Sequence, residues 1–159
     1  MQLHERASTI PPKSYDRQDW QKGYESVTQE LDYWVEDIEG EIPPELNGTL
    51  FRNGPGLLDI EGHRIHHPFD GDGMISAIAF SNGRAYFRNR FIRTTAFVEE
   101  QKAKKILYRG VFGTQKPGGW LANAFDLRLK NIANTNVIYW GDKLLALWEG
   151  GKPYALDLQ

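Results

Sequence analysis

The sequence predicts an all-β fold. Short β-prone runs recur, at Ile75 to Phe80, Ala85 to Ile92, Asn136 to Trp140 and Leu144 to Trp148, and turn signals separate them. Aromatic residues are plentiful, with five Trp, seven Tyr and eight Phe, as a half-buried pleated surface favours. Helical patterning is confined to one stretch, Phe97 to Lys105.

Length and composition set the frame. A chain of 159 residues fits a single domain, and 40% hydrophobic with 25% charged residues is ordinary for a folded globular protein. The net charge of −2 gives no basic excess for nucleic acid. The absence of cysteine excludes a disulfide framework, thiolate zinc sites and a cysteine nucleophile, and fits a reducing, cytoplasmic setting. The N-terminal residues Met1-Gln2-Leu3-His4-Glu5-Arg6 carry no apolar h-region, and no apolar run approaches the roughly 20 residues of a membrane span.

The elements follow in order. Residues 1–30 are polar and broken by Pro11-Pro12, so they read as an extended arm, with Trp20, Tyr24 and Val27 as anchors onto the domain of residues 31–159. Asn47-Gly48 favours a left-handed turn before a short strand, Thr49 to Arg52, which Asn53-Gly54-Pro55-Gly56 is expected to stop. Asn82-Gly83 between two β-prone runs is the signature of a type I′ hairpin, because both central residues need positive φ. In the Phe97–Lys105 stretch the acids Glu99 and Glu100 precede the bases Lys102, Lys104 and Lys105, which suits the helix dipole and predicts a solvated connector.

Residues 110–126 form a Gly/Pro-rich loop with Phe112, Trp120, Leu121 and Phe125 in it. Surface loops are usually polar. This one either folds under a neighbour or presents an apolar patch to a membrane or partner. A meander follows, turning at Gly141-Asp142 and at Gly150-Gly151, with a third strand beginning at Pro153. Strands at this spacing fit a sandwich, a barrel or a propeller. The last residues read as mid-strand, which predicts the N-terminal part of a longer β protein.

The densest chemistry lies in His66-His67-Pro68-Phe69-Asp70-Gly71-Asp72-Gly73-Met74. His63, His66 and His67 do not share a strand face, so their spacing does not favour a common metal. From Asp70, a calcium loop would need an oxygen ligand at the fifth position and a glutamate at the twelfth, where Met74 and Ser81 stand. The local expectation is a tight turn in which the glycines supply positive φ and the aspartates bond the bent backbone. Glu149, ending an apolar strand, either reaches solvent or orients something inside; Thr135 passes as an ordinary β-branched residue.

In combination these pieces resemble one family. Gly40-Glu41-Ile42-Pro43, Leu46-Asn47-Gly48 with Arg52-Asn53-Gly54-Pro55, His67 through Met74, Arg90 through Thr94, Lys130 through Val137 and Leu145 through Glu149 match, in order, the motifs of the carotenoid cleavage oxygenases, and within them the cyanobacterial apocarotenoid oxygenases. The resemblance implies a seven-bladed β-propeller, of which about the first two blades are present. It implies an Fe(II) bound by four histidines, with glutamates orienting the imidazoles, and an apolar tunnel where O2 cleaves a double bond of a carotenoid or apocarotenoid into aldehydes.

Residue by residue, the resemblance makes Glu149 a glutamate behind an iron-ligand histidine. It puts Thr135 beside the iron's open position and makes Trp148 and Phe69 substrate-lining aromatics. Phe112, Pro117, Trp120, Leu121 and Phe125 become a membrane-dipping patch, giving a cytoplasmic, peripherally membrane-associated protein. None of His4, His63, His66 or His67 matches an iron ligand, so the ligands are expected outside this chain and the segment alone is expected to be inactive. A truncated, non-catalytic propeller fragment that binds a carotenoid or a protein partner is the alternative.

Overall fold

The computed structural model describes residues 24–124, 126 and 128–157. Its strands are β1 (Asp32–Trp34), β2 (Gly48–Leu57), β3 (Asp59–Ile60), β4 (His63–Arg64), β5 (Asp72–Ser81), β6 (Arg84–Phe91), β7 (Asn136–Trp140), β8 (Lys143–Leu147) and β9 (Tyr154–Leu156). A 3-10 turn, Pro68–Asp70, precedes β5, and two helices, α1 (Thr95–Ala103) and α2 (Gly119–Asn123), join the two main sheets. The first sheet has the order β1-β6-β5-β2 and the second is the meander β7-β8-β9, all antiparallel; β3 and β4 form a small ribbon.

The hairpins form where the turn chemistry requires them. Asn82 and Gly83 both have positive φ (49° and 71°), the type I′ geometry, and set the Ser81–Arg84 register of β5 and β6. Gly141 and Asp142, at 56° and 61°, do the same for β7 and β8. In β8 the alternation is plain: Leu144 and Ala146 are buried, and they join Ile75, Ile92 and Ala133 in the core between the two sheets, with Phe51, Val137, Tyr154 and Leu156 packed around it.

Two expectations need correction. The strand that Asn53-Gly54-Pro55-Gly56 was expected to stop runs for 10 residues, Gly48–Leu57. Pro55 is tolerated because β2 is an edge strand, and the register shifts between Pro55 and Leu57. Helix α1 begins earlier, at Thr95, where the Thr94 side chain accepts from the Phe97 amide at 3.1 Å, and ends at Lys104 with φ 55°. Nor is it a mere solvated connector, since Ala96, Phe97 and Glu100 are buried. β1 and the residues before it lie on the body. The Val27 amide donates to Gly56 O at 2.7 Å, the Leu58 amide donates to Ser26 Oγ at 2.8 Å, and Asp32 pairs with Arg88 and Arg90. Backbone and polar bonds tie residues 24–30 down, while Tyr24 and Val27 stay exposed; Trp20 lies outside the described residues.

Candidate functional site

The segment 130–135 carries the site, and the aspartate turn holds it in place. Ala133, with φ 47°, bends the chain before β7. Asn53 Nδ2 donates to Ala133 O at 2.7 Å and to Asn136 O at 2.8 Å, bridging this bend to β2. The Gly73 amide donates to Ile132 O at 2.9 Å, and a Cβ at Gly73 would stand 2.5 Å from Ala133 O. Gly73 therefore serves close approach of two backbones. Gly71 (φ −70°) lies outside the left-handed region, and a Cβ there would meet Leu58 Cδ2 at 2.6 Å. The expectation of positive φ at these glycines is overturned: they are glycine for lack of room.

The two aspartates of the turn are buried, at 1% exposure each. Asp70 accepts from the Phe112 amide (2.9 Å), the Thr114 amide (3.1 Å) and the Thr114 hydroxyl (2.8 Å), which fastens the 110–114 loop to the turn. Asp72 meets Lys130 Nζ at 2.7 Å, and Lys130 also stands 2.5 Å from Glu100 Oε2, in ionic contact but outside hydrogen-bond geometry. Glu100 Oε1 accepts from the amides of Leu107 and Tyr108. Two buried carboxylates thus share one ammonium. Burial pushes the Asp72 carboxyl up to about 6, against the pull of Lys130. Desolvation acts to lower the Lys130 ammonium but loses to Asp72 and Glu100, so its pKa is raised. This triad joins the turn, α1 and the 130–135 segment, and nothing in the sequence marks its three members as partners.

The corner beyond it is open. The Thr135 amide donates to Leu147 O at 3.1 Å, extending the β7–β8 ladder. The Thr135 hydroxyl lies 3.0 Å from Glu149 Oε2, and both residues are exposed. Among the described residues Thr135 is the hydrogen-bond partner of Glu149, leaving carboxylate capacity for a further donor. Trp148 is half-buried over the next two glycines: a Cβ would stand 2.7 Å from its ring at Gly150 and 2.9 Å at Gly151. Those glycines make room for the indole.

Phe69 sits on the turn at 58% exposure, its amide donating to His67 Nδ1 at 3.1 Å. His67, Phe69 and Phe112 form an aromatic trio, with His67 stacked on Phe112 at 5.1 Å and Phe69 edge-on to Phe112 at 5.6 Å. The structure thus joins Thr135 to Glu149, and Phe69 to Phe112.

Among the described residues, the apolar side chains of the loop do not fold under a neighbour. Trp120 and Leu121, on α2, are 72% and 71% exposed, and Phe112 and Pro117 are exposed too; Phe125 lies outside the described residues. The loop is braced from within. Asn123 donates to Lys116 O (2.9 Å) and Gly119 O (2.8 Å) and accepts from the Lys116 amide (3.0 Å), while Asp126 pairs with Lys116 and Arg128. Those bonds, from Arg128 first, hold the Asp126 carboxyl well below the usual range.

Among the described residues, no three His, Asp or Glu side chains are grouped to hold a metal ion, so these residues do not by themselves fit an iron ligand set. No described helix is long and apolar enough to cross a membrane. A groove of about 670 Å³ lies between the sheets against Phe51, Arg88, Arg90, Tyr154 and Leu156, and Thr135, Trp148 and Glu149 do not line it.

Comparison with known proteins identifies the class to which this fold belongs. The family described as retinal pigment epithelial membrane protein matches residues 24–159. The apocarotenoid-15,15′-oxygenase of Synechocystis sp. is 64% identical over 156 residues, covering 94% of this chain and 32% of that protein. The chloroplastic carotenoid cleavage dioxygenase 7 of Oryza sativa is 37% identical over 125 residues, 75% of this chain and 20% of that protein. The chain therefore spans about a third or less of the length of these relatives. A solved Glu→Gln variant of the Synechocystis apocarotenoid oxygenase superposes with a TM-score of 0.86 at 63% identity, covering 91% of this chain and 30% of that one. A cobalt-substituted form of that oxygenase matches equally well, at TM-score 0.86 and 64% identity. Thr→Ala and Trp→Ala variants of it have also been solved; the tryptophan directly precedes the glutamate, and the threonine lies 14 residues before it. This chain belongs to the carotenoid cleavage oxygenase family, that of the retinal pigment epithelial membrane protein.

Proposed function

We propose that this chain supplies part of the active centre of an Fe(II)-dependent dioxygenase that cleaves a conjugated double bond of a carotenoid or apocarotenoid to aldehydes. The observation that carries the reading is the hydrogen-bonded Thr135–Glu149 pair in an open corner. Its spacing, with Trp148 directly before Glu149, is that of the three residues replaced in the Synechocystis oxygenase variants. In this reading the two main sheets are the first two blades of a seven-bladed propeller, and the iron-ligand histidines come from outside the 159 residues.

Bound iron would supply the activation of O2. The rest falls to the chain's own side chains. Glu149 holds an imidazole N–H with its spare carboxylate capacity, fixing that ring's tautomer and orientation. Thr135 presents a small, fixed wall beside the reacting centre. Trp148 and Phe69 offer apolar faces to a polyene, which has no polar handle along its length. The braced loop with Phe112, Pro117, Trp120 and Leu121 outward serves uptake from a membrane surface, in a cytoplasmic, peripherally bound protein.

The test is direct. The protein as its gene encodes it, loaded anaerobically with Fe(II) and then given O2 and an apocarotenal, yields a shortened aldehyde resolved by chromatography. Residues 1–159 expressed alone yield none and hold no tight iron. Failure of the first, or tight stoichiometric iron with turnover in the second, contradicts the reading.

A further inference from the structure

We propose that Asn134 is a positioning residue that fixes the side-chain rotamer of Thr135 and locks it to the turn carrying Phe69; its kinetic consequence rests on the function proposed above. Asn134 is buried, 8% exposed, between the two. Its Nδ2 donates to Phe69 O at 3.1 Å and to Gly71 O at 2.8 Å. Both amide hydrogens are thereby used, and the flip of the carboxamide is fixed by that pair of acceptors. The carboxamide oxygen then faces the Thr135 hydroxyl, 3.4 Å away. On its other side that hydroxyl has Glu149 Oε2 at 3.0 Å.

A threonine hydroxyl has one proton to donate. Here it is held between two acceptors, and either serves without rotation about χ1. When a further donor engages Glu149, the hydroxyl keeps an alternative partner in Asn134 Oδ1. Because threonine is β-branched, fixing the oxygen also fixes the methyl group. Asn134 therefore determines which face of Thr135 the open corner sees, and ties that choice to the backbone that places Phe69. Aspartate keeps the acceptor but loses both donors to the turn and buries a charge, while alanine removes both functions.

Two independent measurements test it. In iron-free protein labelled with [13C-methyl]threonine, the Thr135 methyl should report a single rotamer in the wild type and rotamer averaging in Asn134→Ala. Turnover of an apocarotenal by the iron-loaded protein should then fall about fivefold in kcat, the worth of one hydrogen bond, with KM held within about twofold. The same substitution in a Thr135→Val background should change kcat by less than about 1.5-fold, because the hydroxyl it acts through is gone.

If Asn134→Ala does not fold, the near-isosteric Asn134→Leu, which likewise lacks the acceptor but leaves no cavity, takes its place in both measurements. An equal kcat loss in both backgrounds overturns the inference, as does an unaveraged Thr135 methyl. A wild type that cleaves no apocarotenoid defeats the proposed function instead, and the methyl spectra still decide the role of Asn134.

Discussion

Asp72 and Glu100 lie at 1% and 0% exposure around Lys130, whereas Glu149 stands in the open with only the Thr135 hydroxyl for a described partner. The first cluster spends its charge inward. Apart from Asp72 Oδ1, which has no hydrogen-bond partner among the described residues, its carboxylates, its ammonium and the amides of Leu107 and Tyr108 answer one another, and it joins three elements that are distant in sequence. The second keeps bonding capacity unspent at a surface. The contrast teaches that chemical density in the sequence is a poor guide to what stands open: the aspartates of the turn are buried in internal contacts, and the plainer Thr135 and Glu149 form an exposed pair with carboxylate capacity left.

The largest expected effect is at the closed cluster. Lys130→Met leaves two buried carboxylates without a counter-charge, which should cost about 3–5 kcal/mol in denaturant unfolding. A cost under about 1 kcal/mol would break the comparison at its stronger end.

Asp72 sharpens it through pH. Its folded pKa is raised from the ordinary 3.8 to about 6 by burial, so the folded state holds a proton that the unfolded chain gives up. Its favourable contribution is fully present below the ordinary value and is lost as pH rises through about 6. Unfolding of the wild type measured against Asp72→Asn should show the wild type losing ground from pH 4 to pH 6 and a constant difference above. A constant difference across the whole range would contradict the burial of that charge.

The apolar loop should show a small effect on stability and a clear one on surface binding. Replacing Trp120 and Leu121 together by serine removes side chains that are already in solvent, so unfolding should shift by no more than about 0.5 kcal/mol. Co-flotation with lipid vesicles should fall in the same variant. Unchanged flotation would remove the membrane role while leaving the rest of the account intact.

Much of the fold was legible in the sequence, because turn chemistry is local. Asn82-Gly83 and Gly141-Asp142 require positive φ, and the strands on either side follow from them. The strand through Pro55 was not legible, since whether a proline is tolerated depends on β2 lying at an edge, a property of the whole sheet. The glycines of the turn were misread for a related reason: lack of room against Leu58 and Ala133 is a tertiary fact. At the site, the family motifs singled out Thr135, Trp148 and Glu149. The ion triad and Asn134 were missed, because their partners lie tens of residues away and no local spacing brings Lys130 to Asp72 or Asn134 to Phe69.

Glu149→Gln tests the central claim most directly, with unfolding and turnover measured on the same preparation. The carboxamide keeps the size and an acceptor for Thr135 but loses the charge. The account predicts an unfolding midpoint indistinguishable from wild type, with iron affinity or turnover reduced about 10–100-fold. Unchanged iron binding and turnover, or a loss of activity that simply tracks a loss of stability, would contradict it.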